Sequence, residues 1–244
     1  MWRDAGSIER RSCGSDHPEC LYQDIVVALD SETLINNGQP SLHARALSAL
    51  DVQRGDAVTH IGAGTGYYSA ILAELTGKHG RVVVYEITPD LASRARQMLN
   101  RYGHVSVHDA AVVHKALPMS DVIHVNAGAT HPVQGWLDAL KPNGRLLIPL
   151  TAVDGSGGLL LIRKQDQSAY SAAFVSQAMF IPCAGARDEE TAKALLQLTS
   201  GDGARNVKSL RLDSDPDDSA WFVAKDWWLS TETARVDKVQ SGEL

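Results

Sequence analysis

The sequence predicts an α/β protein built on a doubly wound, mostly parallel Rossmann-like sheet with antiparallel strands added at its C-terminal end. Three observations predict it. Apolar strand patterns and helical patterns alternate through five units between about residues 42 and 150. The run Val82-Val83-Val84-Tyr85 is apolar throughout, as in strands whose two faces are both covered. A glycine-rich turn, Gly62-Ala63-Gly64-Thr65-Gly66, stands between a strand and a helix. Parallel neighbours need crossover connections, and helices in those crossovers cover both faces of the sheet.

Each element follows from local pattern. From Ser41, the residues Leu42, Ala46, Leu47 and Leu50 recur at helical spacing until the turn Gln53-Arg54-Gly55-Asp56. Ala57 to Ile61 reads as a short strand, and Tyr68 to Leu75 as a buried helix rich in Ala, Ile and Leu. Arg81 to Ile87 is the second strand. Pro89 suits a helix start, and Leu91, Ala95, Met98 and Leu99 trace one helix face ending before Tyr102-Gly103. Val105 and Val107 mark a third strand and Asp121 to Val125 a fourth. Pro132 to Leu140 reads as a helix, and Gly144 to Leu150 as a fifth strand after the turn Lys141-Pro142-Asn143. Gly158 to Lys164 and Ala173 to Phe180 read as an antiparallel pair, Glu189 to Leu198 as a helix. The segment with Trp221, Phe222, Trp227 and Trp228 reads as edge strands burying aromatic area.

This organisation divides the chain into a flexible leader (1–20), an N-terminal substrate-side segment of helices and loop (21–55), a ligand-binding core (56–164) and a C-terminal part (165–235) completing the same domain. The 44% hydrophobic and 21% charged fractions are those of an ordinary globular chain. A net charge of −6 disfavours a phosphate backbone as partner. No apolar stretch approaches the roughly 20 residues of a membrane span, and the polar N-terminus lacks a signal-peptide core, so no membrane partner and a cytoplasmic location are expected. The three cysteines form no disulfide framework, and Cys183 reads as a small buried residue. Cys13, His17 and Cys20 match no standard zinc spacing, so no metal is expected.

The glycine turn carries the chemistry. Glycines after the first strand let the backbone turn tightly and approach a ligand at the carboxyl end of the sheet. A dinucleotide fingerprint places its glycines at the first, third and sixth positions, but the sixth here is Tyr67; the glycines stand instead at 62, 64 and 66. Glu86 ends the second strand 22 residues after Gly64, where a carboxylate can accept hydrogen bonds from both ribose hydroxyls. Asp109 follows the third strand and is placed to accept from an exocyclic adenine amine. Neighbours on these turns, Ala63, Tyr67, Ile87 and Ala110, complete the expected lining. Each acid also has a plain structural reading, Glu86 as a helix-start acid and Asp109 as a loop aspartate.

Glycines at 62, 64 and 66 resemble motif I of the S-adenosylmethionine-dependent methyltransferases, and from about Gly38 to Arg163 the chain resembles one family, the protein-L-isoaspartate (D-aspartate) O-methyltransferases. Val58 to Leu75 matches especially well. Leu140-Lys141-Pro142-Asn143-Gly144-Arg145-Leu146-Leu147-Ile148-Pro149 looks like that family's fifth strand and its entry, and Gly158 to Arg163 like the next strand. The resemblance implies a class I methyltransferase sheet binding S-adenosyl-L-methionine, left as S-adenosyl-L-homocysteine. It implies that Gly62, Gly64, Glu86 and Asp109 hold the cofactor and that Gln39 and Ser41 border the substrate.

Three positions depart from the family. His60 stands where an acid usually begins the motif and can hydrogen-bond the loop or a methionine moiety, or simply pack. The substrate loop is the shorter Gln39-Pro40-Ser41-Leu42-His43. The loop after the fourth strand, Asn126-Ala127-Gly128-Ala129-Thr130-His131-Pro132, is more polar than the family's. Asn126, Thr130 and His131 are therefore candidates to orient or deprotonate an acceptor, with helix capping the alternative for His131. The loop lacks the Asn-Pro-Pro-aromatic signature of amino-directed nucleic-acid methyltransferases, which also argues against a nucleic-acid partner.

The function expected is O-methylation of a carboxylate on a protein, peptide or small metabolite. Such a nucleophile is ionised near neutral pH and needs alignment more than a strong base. A hydroxyl or amine acceptor would make a base such as His131 or His43 useful. Two alternatives stand: a catalytically inactive binding or scaffold protein of the same fold, and an NAD-dependent oxidoreductase tolerating Tyr67.

Overall fold

The computed structural model describes residues 23–29, 35–196, 202–212 and 215–234. Its helices are α1 (Pro40–Leu50), α2 (Tyr67–Thr76), α3 (Pro89–Leu99), α4 (Gln134–Asp138) and α5 (Glu189–Leu195). Its strands are β1 (Ala57–Ile61), β2 (Arg81–Glu86), β3 (Val105–Asp109), β4 (Ser120–Val125), β5 (Leu140–Thr151), β6 (Ser156–Lys164), β7 (Tyr170–Met179), β8 (Ser209–Arg211), β9 (Ala220–Val223) and β10 (Trp228–Ser230). They form one sheet ordered β3-β2-β1-β4-β5-β6-β7-β8-β10-β9. The first five in that order pair in parallel, and the rest pair antiparallel. Chain direction along the sheet therefore reverses between β1 and β4, the switch point at which open α/β sheets bind ligands beyond the carboxyl ends of their strands.

Strand alternation builds two cores. Val58, Val82, Val84, Val122 and Leu147 face Leu50 of α1, Leu72 of α2 and Leu99 of α3. Ile123, Val125, Leu146, Ile148 and Leu150 point the other way, onto Trp136 and Leu137 of α4 and onto Phe222 and Trp227. Every residue of β1 is buried, as a strand covered on both faces requires. Two ion pairs brace the opposite strand ends: Asp121 accepts from the Ala57 amide and pairs with Lys141 at 2.7 Å, and Arg145 pairs with Asp56 at 2.6 Å.

Most expected elements are found with ends shifted by one to three residues. The helix expected over Pro132 to Leu140 is the five-residue α4, because Val133 keeps an extended backbone (ψ 125°) and β5 already begins at Leu140. Lys141-Pro142-Asn143, expected as a turn before the fifth strand, lies inside β5. Asn143 adopts φ 62° there, and the pairing with β4 slips between Ser120 and Val122, so the turn is absorbed as an irregularity of the strand. β7 begins at Tyr170, ahead of the expected start at Ala173, because it continues to pair with β6 as far as Lys164. Residues 197–198 of the helix expected to reach Leu198 lie outside the described residues, as do Cys13, His17, Cys20 and the leader 1–20. Among the described residues no helix is long and apolar enough to cross a membrane.

Candidate functional site

The glycine turn lies at the carboxyl end of β1, at the switch point. Gly62, Gly64 and Gly66 have φ of 79°, 56° and 89°, a region where L-side chains are strained. The three glycines do different work. A Cβ on Gly62 would stand 3.4 Å from the Asn126 carbonyl carbon, so the turn lies close against the end of β4. A Cβ on Gly66 would stand 3.0 Å from Leu99 Cδ1 and 3.3 Å from Ala95, so this N-cap of α2 permits the packing of α2 on α3. Gly64 lies between them and donates its amide hydrogen to Glu86 Oε2 at 2.7 Å.

Glu86 thus does more than stand ready for a ribose. Its other oxygen, Oε1, accepts from the Thr88 amide at 2.9 Å, so one buried carboxylate ties the turn after β1 to the turn after β2. Each carboxylate oxygen has capacity for a second hydrogen bond. Ile87 and Tyr67 are half exposed on either side, whereas Ala63 is buried beneath the turn. Asp109 is exposed at the end of β3, paired in register with Glu86, and Ala110 donates its amide to the Glu86 carbonyl at 3.1 Å.

This donor set suits S-adenosylmethionine. Glu86 and Asp109 are hydrogen-bond acceptors, the chemistry that ribose hydroxyls and an adenine amine call for. A pyrophosphate asks for the opposite chemistry, donors and positive charge.

Beneath the turn, on the face covered by α1 and α2, lies a cluster of imidazoles. His60 is fully buried: Nδ1 meets Ser69 Oγ at 2.7 Å and Nε2 meets Asn126 Nδ2 at 2.8 Å. Both ring nitrogens of His60 are thus engaged, one by Ser69 and the other by the Asn126 amide. His124, the register partner of His60 on β4, stacks on it with centroids 5.0 Å apart. His43 of α1 packs edge-on to His124 and stacks on Tyr68 at 3.7 Å. Burial disfavours the charged rings, pushing His60 down to about 3, His43 to about 4 and His124 well below its ordinary value. His60 therefore replaces an acid with a neutral group, reaching the turn through Asn126.

At the start of α1, Ser41 and Gln39 converge on Asp24. Its carboxylate accepts from Gln39 Nε2 at 2.6 Å, from the Ser41 amide at 2.8 Å and from Ser41 Oγ at 2.7 Å, and these hydrogen bonds, led by the Ser41 amide, hold it below the usual carboxylate range. The Ser41 hydroxyl hydrogen is committed to Asp24, which casts Ser41 as a brace of the loop. Residues 126–131 are zipped to 181–188. Gly128 donates to the Ile181 carbonyl at 2.7 Å, Cys183 to the Gly128 carbonyl at 2.8 Å and Thr130 to the Ala186 carbonyl at 3.0 Å. Arg187 locks the seam from below, with Nη1 on the Gly128 and Thr151 carbonyls and Thr151 Oγ1 and Nη2 on the Ala152 carbonyl, at 2.7 to 3.1 Å.

The structure thus brings together His60, Gly62, Ala63, Gly64, Tyr67, Glu86, Ile87 and Asn126 around one turn, with Asp109 and Ala110 beside Glu86. Ser41 and His131 belong to other walls. Sequence reasoning missed Asp24, His124 and Arg187. Only the polarity of His124 inside an apolar strand was a local sign; Asp24 and Arg187 act on residues 15 to 59 positions away. Cys183 is buried, its thiol pushed up to about 11 by burial. Among the described residues no group of three His, Cys, Asp or Glu could hold a metal. A shallow depression of about 490 Å³ lined by Ala44, Arg45, Ser48, Ala49 and Val175 shares no residue with the turn.

The model of a protein family described as protein-L-isoaspartate(D-aspartate) O-methyltransferase matches residues 5–188. Protein-L-isoaspartate O-methyltransferase 2 of Archaeoglobus fulgidus is 35% identical over 159 residues, 62% of this chain and 70% of that protein. Protein-L-isoaspartate O-methyltransferase of Aeropyrum pernix is 39% identical over 129 residues, 49% of this chain and 50% of that protein. A solved structure of a protein-L-isoaspartate O-methyltransferase superposes with TM-score 0.63 and 25% identity over 76% of this chain and 59% of that one. A Plasmodium falciparum chain described as such a methyltransferase, in complex with S-adenosyl-L-homocysteine, superposes with TM-score 0.60 over 68% of this chain and 83% of that one; at 22% identity it speaks to the fold alone.

Proposed function

The chain belongs to the protein-L-isoaspartate (D-aspartate) O-methyltransferase family, whose members are S-adenosylmethionine-dependent methyltransferases, and we propose on that premise that it methylates a carboxylate of a protein or peptide. The observation that carries this reading is the lining of the switch point: a glycine turn pinned by Glu86, with Asp109 alongside, offers acceptors to a nucleoside and no cradle for phosphates.

When bound, S-adenosylmethionine supplies an electrophilic methyl on a sulfonium. The residues of this chain do the rest. Glu86 receives ribose hydroxyls while holding the turn in place, and Asp109 receives the adenine amine. Asn126 borders the methionine end, its own orientation set by His60. Gln39 and Ser41, held by Asp24, and the loop 126–131 supply the residues that would border an acceptor. An aligned carboxylate oxygen would take the methyl that bound S-adenosylmethionine supplies, the sulfonium becoming a neutral thioether and the carboxylate a methyl ester. No proton moves, so alignment and exclusion of water suffice.

The test is calorimetric titration with S-adenosylmethionine, S-adenosylhomocysteine and NAD, followed by assay of S-adenosylhomocysteine formation with an isoaspartyl peptide and its aspartyl counterpart. Binding of the sulfur ligands alone and turnover of the isoaspartyl peptide are expected. NAD binding, or cofactor binding without turnover of either peptide, would overturn the reading.

A further inference from the structure

The loop after β4 ends in a short hydrogen-bond chain through Thr130 and His131. Asp188 donates its backbone N–H to Thr130 Oγ1 at 2.8 Å, and an N–H only donates. Thr130 is fully buried, so its own hydroxyl hydrogen needs an acceptor inside the protein. The nitrogen within reach is His131 Nδ1, 3.1 Å away. The chain runs Asp188 N–H to Thr130 O–H to His131 Nδ1, so the neutral ring of His131 carries its proton on Nε2. The Asp188 carboxylate takes no direct part, because Oδ1 accepts from the Thr191 amide at 2.8 Å and from Thr191 Oγ1 at 2.6 Å to cap α5. Burial keeps His131 below its ordinary pKa although Asp188 opposes this, so the ring is neutral near pH 7.

We propose that His131 is a specificity-determining residue that presents an Nε2–H donor to a carboxylate oxygen of the methyl acceptor, and that it is not a general base. This rests on the carboxylate acceptor proposed above. An Nε2 that already bears a proton cannot take another from a hydroxyl or amine, and Nδ1 is engaged by Thr130. A neutral donor can instead hold one carboxylate oxygen while the other, still anionic, attacks the methyl; the proton stays on Nε2 throughout. The residue is only partly buried, its Nε2 has no hydrogen-bond partner among the described residues, and the seam with residues 181–188 holds its backbone in place. The residue thus selects an acceptor that receives a hydrogen bond over one that must lose a proton.

The test reads the tautomer and the kinetics separately. Long-range proton–nitrogen correlation spectra of histidine-labelled protein, with the His131 signals assigned by their loss in His131→Gln, should show Nδ1 unprotonated and Nε2 protonated. Thr130→Val should give a tautomer mixture, and Thr130→Ser should restore the wild-type pattern. With an isoaspartyl peptide, His131→Ala should raise KM about tenfold with kcat little affected, as expected for loss of a hydrogen bond to a charged group. His131→Gln, which keeps a donor near the Nε2 position, should recover most of that loss. An Nδ1–H tautomer in the wild type overturns the inference and leaves the proposed function standing. A kcat loss of about a hundredfold in both His131 variants, with disappearance of an ionisation from the pH profile, also overturns it by making His131 a base. No methyl ester from any carboxylate acceptor with the wild type overturns the proposed function and the inference with it.

Discussion

His60 on β1 and His124 on β4 lie face to face, ring centroids 5.0 Å apart and planes 9° from parallel, both almost wholly buried. With His43 they form a patch of imidazoles that the folded protein keeps neutral. In the unfolded chain each takes up a proton near its ordinary pKa of about 6.5, whereas the folded protein resists until about 4 for His43 and about 3 for His60. Stability is therefore full above about pH 6.5 and falls as the pH drops toward 4, because there the unfolded state binds more protons. At pH 5 the loss is on the order of 2 kcal/mol per histidine. Urea midpoints measured between pH 8 and 4.5 should show this decline, and His60→Gln should make it shallower, leaving the share of His43 and His124.

Replacing Glu86 should damage both binding and fold, because its two oxygens hold the Gly64 and Thr88 amides. Glu86→Ala should weaken S-adenosylmethionine binding more than tenfold and destabilise the protein by about 1–3 kcal/mol, the cost of leaving buried partners unmet. Glu86→Gln, with a single acceptor oxygen, should fall between. Calorimetry and thermal melting read the two effects independently; weakened binding at full stability would show that Glu86 does not hold the turn.

Arg187 predicts a separation of acceptor from cofactor. Its guanidinium holds the Gly128, Thr151 and Ala152 carbonyls under the loop 126–131. Arg187→Lys retains charge but not the fork of donors, so it should lower stability by about 1–3 kcal/mol and raise KM for the acceptor while leaving cofactor affinity near wild type. Equal losses in both affinities would mean that the seam supports the whole site.

The glycines differ in what they tolerate. Gly66→Ala forces φ 89° on a residue with a side chain and drives its Cβ to 3.0 Å from Leu99 Cδ1 and 3.3 Å from Ala95. It should cost about 2 kcal/mol or more through strain and overpacking of α2 on α3, read as a lowered Tm. Gly55→Ala, also at positive φ (90°) but with nothing within 4 Å, should cost only about 1 kcal/mol.

The alternation of strands and helices was legible in the sequence because burial on both faces leaves apolar runs, and the turn 62–66 was legible because only glycine suits its backbone. The early start of β5 was not, since Pro142 and Asn143 punctuate a strand in the same words they use for a turn. Of the site, Glu86 stood out by its place at a strand end, but its hold on the Gly64 amide did not. His60 was visible as a departure from the family; that His124 stacks on it depends on the register of β1 with β4, which no local pattern encodes. Asp24 and Arg187 went unread for the same reason, since what they grip is far along the chain.

The order of strands also dictates an order of assembly. β5 pairs with β6 and β6 with β7 across short turns, so little chain entropy is lost in closing them. β1 can meet β4 only after closing a loop in which Thr59 faces Ser120, 61 residues on. The topology predicts that in pulse-labelled hydrogen exchange during refolding the amides of β5–β7 gain protection before those of β1 and β4. The surface from which the proposed chemistry is run would then be the last part of the sheet to exist.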